Sequence, residues 1–169
     1  MMKRLFALLL IAVSLPLAAQ SGPEAFKALV DSNRVSFKYT LSAKDAAQIR
    51  TDGSVLVDGN CYHIALKGAD IWCDGTTRWT VDSEAKEVYI EPSDGTAEFF
   101  VNPQEHLDRI SNLKMSEKSI SGIYKEPSQG ADVAFKITSI VKSPLSGSSA
   151  GFGFSTAALG PEWVITDLR

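Results

Sequence analysis

Residues 71–82 read IWCDGTTRWTVD, two apolar, aromatic-bearing runs on either side of an Asp-Gly pair. Asp-Gly between β-prone runs is a strong short-range signal of a chain reversal. The stretch therefore predicts two strands, over 70–73 and 77–81, joined at Asp74-Gly75. The same punctuation recurs on both sides, at Asp52-Gly53, Asp58-Gly59-Asn60, Lys67-Gly68, Asp94-Gly95 and Gln129-Gly130. Between these turn signals lie short segments rich in β-branched and aromatic residues, at 48–57, 61–66 and 87–91. Regular short strands with such turns make an antiparallel meander.

Upstream, residues 34–42 (RVSFKYTLS) alternate strictly. Val35, Phe37, Tyr39 and Leu41 fall on one face and Arg34, Ser36, Lys38 and Thr40 on the other, as in a half-buried strand. A short helix precedes it in residues 21–33 (SGPEAFKALVDSN). Pro23 takes a first-turn position, and Phe26, Leu29 and Val30 recur at helical spacing. A second short helix is expected in residues 102–110 (NPQEHLDRI), with Asn102 as cap, Pro103 in the first turn and Glu105 completing a capping box. Further strands are expected over 114–125, 132–141, 151–156 and 163–167, with residues 142–151 (KSPLSGSSAG) as a loop. The fold class is α+β, dominated by one antiparallel sheet.

Almost every expected strand has one apolar face, while the helices are few and short. A curled sheet can bury part of such a face on itself. Otherwise an apolar concavity stays thinly covered, and cavities of that kind hold hydrophobic ligands. The lining expected for it is Phe37, Tyr39, Tyr62, Ile64, Trp72, Trp79, Val88, Ile90 and Phe135. A closed barrel with a filled core is the alternative.

The first residues read as a leader. Lys3 and Arg4 precede an apolar run from Leu5 to Leu15, Pro16 interrupts it, and the small residues Ala18 and Ala19 follow. This is the layout of a secretory signal peptide cut after Ala19, and the run falls short of the roughly 20 residues that span a bilayer. The expected product is a single domain over residues 20–169, exported to an oxidising compartment. Loss of Lys3 and Arg4 lowers Lys+Arg from 17 to 15 against 20 acidic residues, and the formal net charge from -3 to -5. Such a balance argues against nucleic acid as a partner and against docking on an anionic membrane.

Cys61 and Cys73 lie twelve positions apart with Lys67-Gly68-Ala69 midway. If that is the turn, the two face each other on neighbouring strands, within reach of a disulfide; two free, partly buried thiols are the alternative. That pairing would put Tyr62, Ile64, Leu66 and Trp72 on one face. Cys61, His63 and Cys73 could also form part of a metal set, but a fourth ligand is lacking, so no metal is expected. His106 reads as a polar-face residue, and Asp58 and Asp74 as turn formers. No nucleophile elbow, phosphate loop or metal-binding helix motif is present. The chain is expected to be non-enzymatic, without a cofactor.

At residues 74–82 (DGTTRWTVD) the chain resembles the periplasmic lipoprotein carrier family typified by LolA. Other segments resemble that family in the same order: the opening helix, residues 36–42 (SFKYTLS), residues 52–66 (DGSVLVDGNCYHIAL) and the closing residues 152–169 (FGFSTAALGPEWVITDLR). The resemblance implies an unclosed antiparallel half-barrel with helices as a lid over an apolar cavity. It also implies a monomeric carrier that holds lipoprotein acyl chains, or a related lipid, and moves them toward the outer membrane. An inner-membrane release complex and an outer-membrane acceptor would be its partners. A non-catalytic envelope sensor or interaction module of the same fold is the alternative. Two features depart from the family. An arginine often follows the family's second strand and helps hold the lid closed, whereas here the chain reads Val57-Asp58-Gly59. Val81 stands where a tyrosine often follows the motif tryptophan.

Overall fold

A computed structural model describes residues 22–43, 46–93, 108–125 and 132–169. The leader lies outside these residues, as does most of the expected second helix, including His106. The described residues contain one α-helix, α1 (Gly22–Asp31), and ten strands in a single sheet. The strands are β1 (Arg34–Ala43), β2 (Ala46–Asp58), β3 (Cys61–Leu66), β4 (Ala69–Cys73), β5 (Thr77–Asp82), β6 (Glu87–Pro92), β7 (Ile110–Met115), β8 (Ser119–Lys125), β9 (Asp132–Ser143) and β10 (Val164–Asp167). Across the sheet they run β10-β6-β5-β4-β3-β2-β1-β9-β8-β7, so the sheet is unclosed. β10 pairs parallel to β6, and the other neighbours pair antiparallel.

The helix ends as its sequence directs, with the Asn33 side-chain amide donating to the Leu29 carbonyl at 2.9 Å. Its apolar stripe, Phe26 and Val30, is buried in one cluster with Val35, Phe37 and Tyr39 of β1, and the helix also meets β7. We call this side of the sheet the helix face, and the other the reverse face.

Asp52-Gly53, expected as a turn signal, lies inside β2 opposite Thr40 and Tyr39 of β1; elsewhere local turn chemistry accounts for most strand ends, and two expectations change. The strand expected over 114–125 is two strands, β7 and β8. The chain reverses at Ser116, whose backbone N–H donates to the Ser119 carbonyl at 2.8 Å and whose hydroxyl accepts from the Ser119 N–H at 3.1 Å. A serine-closed turn needs neither glycine nor proline, so no punctuation marks it. Residues 151–156 form no strand. Phe152 and Phe154 lie on an irregular segment that ends in a 3-10 turn at Thr156–Ala158, and Phe152 is fully buried.

The third change is one of register. Leu66 pairs with Ala69 and Tyr62 with Cys73, so β3 and β4 are joined by the two-residue loop Lys67-Gly68. Gly68 takes φ +81°, a left-handed conformation that glycine adopts without the penalty of a Cβ. Facing Cys61 with Cys73 would need a three-residue loop. Cys61 is instead displaced by one position, and both thiols are free. A one-residue slip in a ladder transfers a whole set of side chains to the other face.

Candidate functional site: two apolar surfaces on one sheet

The slip decides what surrounds each expected lining residue. Along β3, Tyr62 and Ile64 are buried on the helix face. They continue a layer of directly opposed pairs, Val57 with Tyr62, Val55 with Ile64 and Phe37 with Val55. Beyond β1 the layer extends through Leu41 opposite Phe135 and Tyr39 opposite Ile137. Phe37, Tyr39, Tyr62, Ile64 and Phe135 thus belong to one cluster with Phe26 and Val30 of the helix.

Two aromatics of this cluster lie flat across glycines. Tyr39 is directly opposite Gly53, and Phe135 opposite Gly122. A Cβ on Gly53 would come within 2.5 Å of the Tyr39 ring, and one on Gly122 within 2.8 Å of the Phe135 ring. Rings laid over strand glycines pin the register and admit a local bend.

Trp72, Trp79, Val88 and Ile90 are on the other side. Trp72 stands opposite Trp79, Trp79 opposite Ile90, and Val81 opposite Val88. With Val81 they form a second cluster, packed against Phe154, Leu159 and Trp163 of the C-terminal segment. The apolar layer changes sides at β4, where Ile71 and Cys73 join the first cluster and Trp72 the second. On β5 and β6 the helix-face positions become polar, and Arg78 pairs with Glu91 at 2.8 Å. The nine residues expected to line one cavity therefore line two separate surfaces.

Asp58 fastens the C-terminal segment. It is 6% exposed and accepts from the Ser146 N–H at 3.1 Å, from the Ser146 hydroxyl, and from Arg34 Nη1 at 3.2 Å. Burial alone would raise its pKa, but the Ser146 hydrogen bonds and the Arg34 charge outweigh that and hold it below the usual carboxylate range. The Arg34 guanidinium also lies over the Phe152 ring, 5.5 Å from its centroid. This anchor was illegible in the sequence because Asp58 precedes Gly59 and satisfies a turn reading in full.

The thiols and His63 do not converge on a common centre. Cys73 is fully buried, 3.4 Å from the Ser93 hydroxyl. Cys61 is half-buried, and burial, followed by the nearby Cys73, Asp74 and Asp58, pushes its thiol pKa up, the opposite of what a nucleophile needs. His63 faces Trp72 across the ladder, stacks on it with ring centroids 3.5 Å apart, and bonds Asp70 through Nε2 at 2.7 Å. No thiol or hydroxyl among the described residues hydrogen-bonds this imidazole, and no metal-competent cluster occurs among them.

A scan against protein-family models finds no match, and a search of curated proteins returns no relative. Among the described residues no helix is long and apolar enough to cross a membrane.

Proposed function

We propose that the protein is a periplasmic, LolA-like carrier that binds acyl chains of lipoproteins, or a related lipid, on the helix face of its sheet. In this reading the sheet is a half-barrel and α1 part of its lid. The observation that carries the proposal is an unclosed sheet with one continuous apolar layer over β1–β4, β8 and β9, clustered with Phe26 and Val30 of α1. The ligand surface comprises Phe37, Tyr39, Tyr62, Ile64 and Phe135. Trp72, Trp79, Val88 and Ile90 serve a structural core on the reverse face.

All five residues of that surface are 2–3% exposed. In this reading an acyl chain gains contact with them when α1 lifts and the chain takes the place of Phe26 and Val30. Each buried methylene contributes about 0.8 kcal/mol, enough to offset displacement of two apolar side chains. Cargo release is the reverse exchange, with α1 closing over the emptied surface. Native mass spectrometry of the exported protein tests this: a co-purifying lipid, and saturable binding of a fluorescent fatty acid, are expected. Absence of both would overturn the proposal.

A second reading has an observation of its own. Val164, Ile165 and Leu168 are 58%, 46% and 58% exposed at the open β10 edge, an arrangement suited to a protein contact. An envelope interaction module would use that edge and carry no lipid.

A further inference from the structure

The reverse face of β1–β3 holds a groove of about 240 Å³ lined by Ser36, Lys38, Ser54, Leu56, His63 and Ser139, with the backbone of Phe37 and Val55 as its floor. The register brings these groups together: Lys38 faces Ser54, and Ser36 faces Leu56, which faces His63. Adjacent strands lie about 5 Å apart, so a small ligand seated over β1 lies beside both of its neighbours, β2 and β9. On the other flank β9 has a bulge where it passes β1 between Ser36 and Lys38. There Ser139 takes φ +55°, a conformation rare for a residue with a Cβ. Bulges re-aim side chains and collect beside binding sites.

The groove is rich in donors and contains no carboxylate. Lys38 has no ion-pair partner among the described residues, and the hydroxyls of Ser36, Ser54 and Ser139 have no hydrogen-bond partner among them. Acids flanking the groove are engaged elsewhere, Asp58 by Arg34 and Ser146. Asp52 accepts from Arg50 at 3.0 Å and from Thr40 at 2.6 Å, and Asp70 is held by His63. His63 is itself fixed by Trp72 and Asp70, so this wall is pre-organised. Lys136 and Lys114 add positive charge to the same face, one and three strands from Lys38. Lys38, Ser54 and Ser139 are exposed and Ser36 half-buried, so an ammonium and three hydroxyls open to solvent can donate to a tetrahedral oxyanion, whose oxygens accept several hydrogen bonds at once.

We propose that this groove binds an oxyanion of the phosphate or sulfate class, either free or as the headgroup of a larger molecule. The site is independent of the acyl-binding proposal, because it uses the opposite face of the sheet.

Titration of the leader-free protein with sodium phosphate, against sodium chloride at equal ionic strength, tests it by amide NMR. Saturable shifts at Ser36, Lys38, Ser54, His63 and Ser139 are expected with phosphate and not with chloride. Lys38→Ala should weaken binding about tenfold. Ser139→Gly relieves the left-handed backbone while deleting a hydroxyl, so it should fold at least as well and bind several-fold more weakly. Sedimentation with phosphatidylglycerol vesicles, against phosphatidylcholine, distinguishes the sources. Vesicle binding sensitive to Lys38→Ala without a phosphate response assigns a lipid headgroup, and the converse assigns a free anion. No response in either arm overturns the proposal. So does a response that Lys114→Ala and Lys136→Ala reduce as much as Lys38→Ala, because general surface charge then suffices.

Discussion

Tyr62 stands directly opposite Cys73 across the β3–β4 ladder, and Trp72, one residue earlier, therefore stacks on His63 on the other side of the sheet. This relationship separates the core shared with α1, the surface proposed for an acyl chain, from a second core packed against the C-terminal segment.

The separation makes a spectroscopic prediction. The three tryptophans, Trp72, Trp79 and Trp163, all belong to the reverse-face cluster. A brominated fatty acid bound on the helix face would be screened from them by the sheet and should leave tryptophan emission essentially unchanged. Strong quenching on binding would place the ligand between the tryptophans and reject the helix-face site.

Gly53→Ala should destabilise the protein. The added Cβ would meet the Ala65 carbonyl oxygen at 2.3 Å and Tyr39 at 2.5 Å, and the backbone carbonyl cannot swing aside. Overpacking of this kind costs about 1–3 kcal/mol, visible as a lower urea midpoint. Gly153→Ala is the control: its Cβ meets only Trp79, at 3.9 Å, and a change within about 0.5 kcal/mol is expected.

Asp58→Asn should loosen the C-terminal segment and weaken the protein at neutral pH, by about 1–2 kcal/mol. The folded-state pKa of Asp58 is depressed, so its contribution is complete above the unfolded value of about 3.9. The contribution disappears as pH falls through the lower folded value. Denaturation of both proteins across pH 7 to 3 should show the gap between them closing below about pH 4. A gap that stays constant would show that the carboxylate charge is not what fastens Ser146.

In the reduced protein, maleimide should modify Cys61 before Cys73. Cys61 is half-buried and Cys73 fully buried, so the second thiol should react only on unfolding. The raised Cys61 pKa keeps the first reaction slow at pH 7 and faster toward pH 9, because the thiolate is the reacting form. Peptide mapping after timed labelling reads both, and equal rates at the two sites would contradict the burial seen here.

Much of this protein is determined by sequence alone, because strands, turns and helix ends are local. The alternation of Val35, Phe37 and Tyr39, the reversals at Asp58-Gly59, Lys67-Gly68 and Asp74-Gly75, and the Phe26/Val30 stripe each specify their element through neighbours a few residues away. Three things required the tertiary structure. Whether Lys67-Gly68 closes a two-residue or a three-residue loop shifts β4 by one position, and period-two alternation turns that small difference into the side of the sheet on which Trp72 lies. Asp58 becomes an anchor only because Ser146, 88 positions later, returns to it. Ser139 joins Lys38 only because a bulge in β9 lies against β1. Local chemistry therefore decided which residues form strands, while loop length and long-range return of the chain decided which surfaces they build.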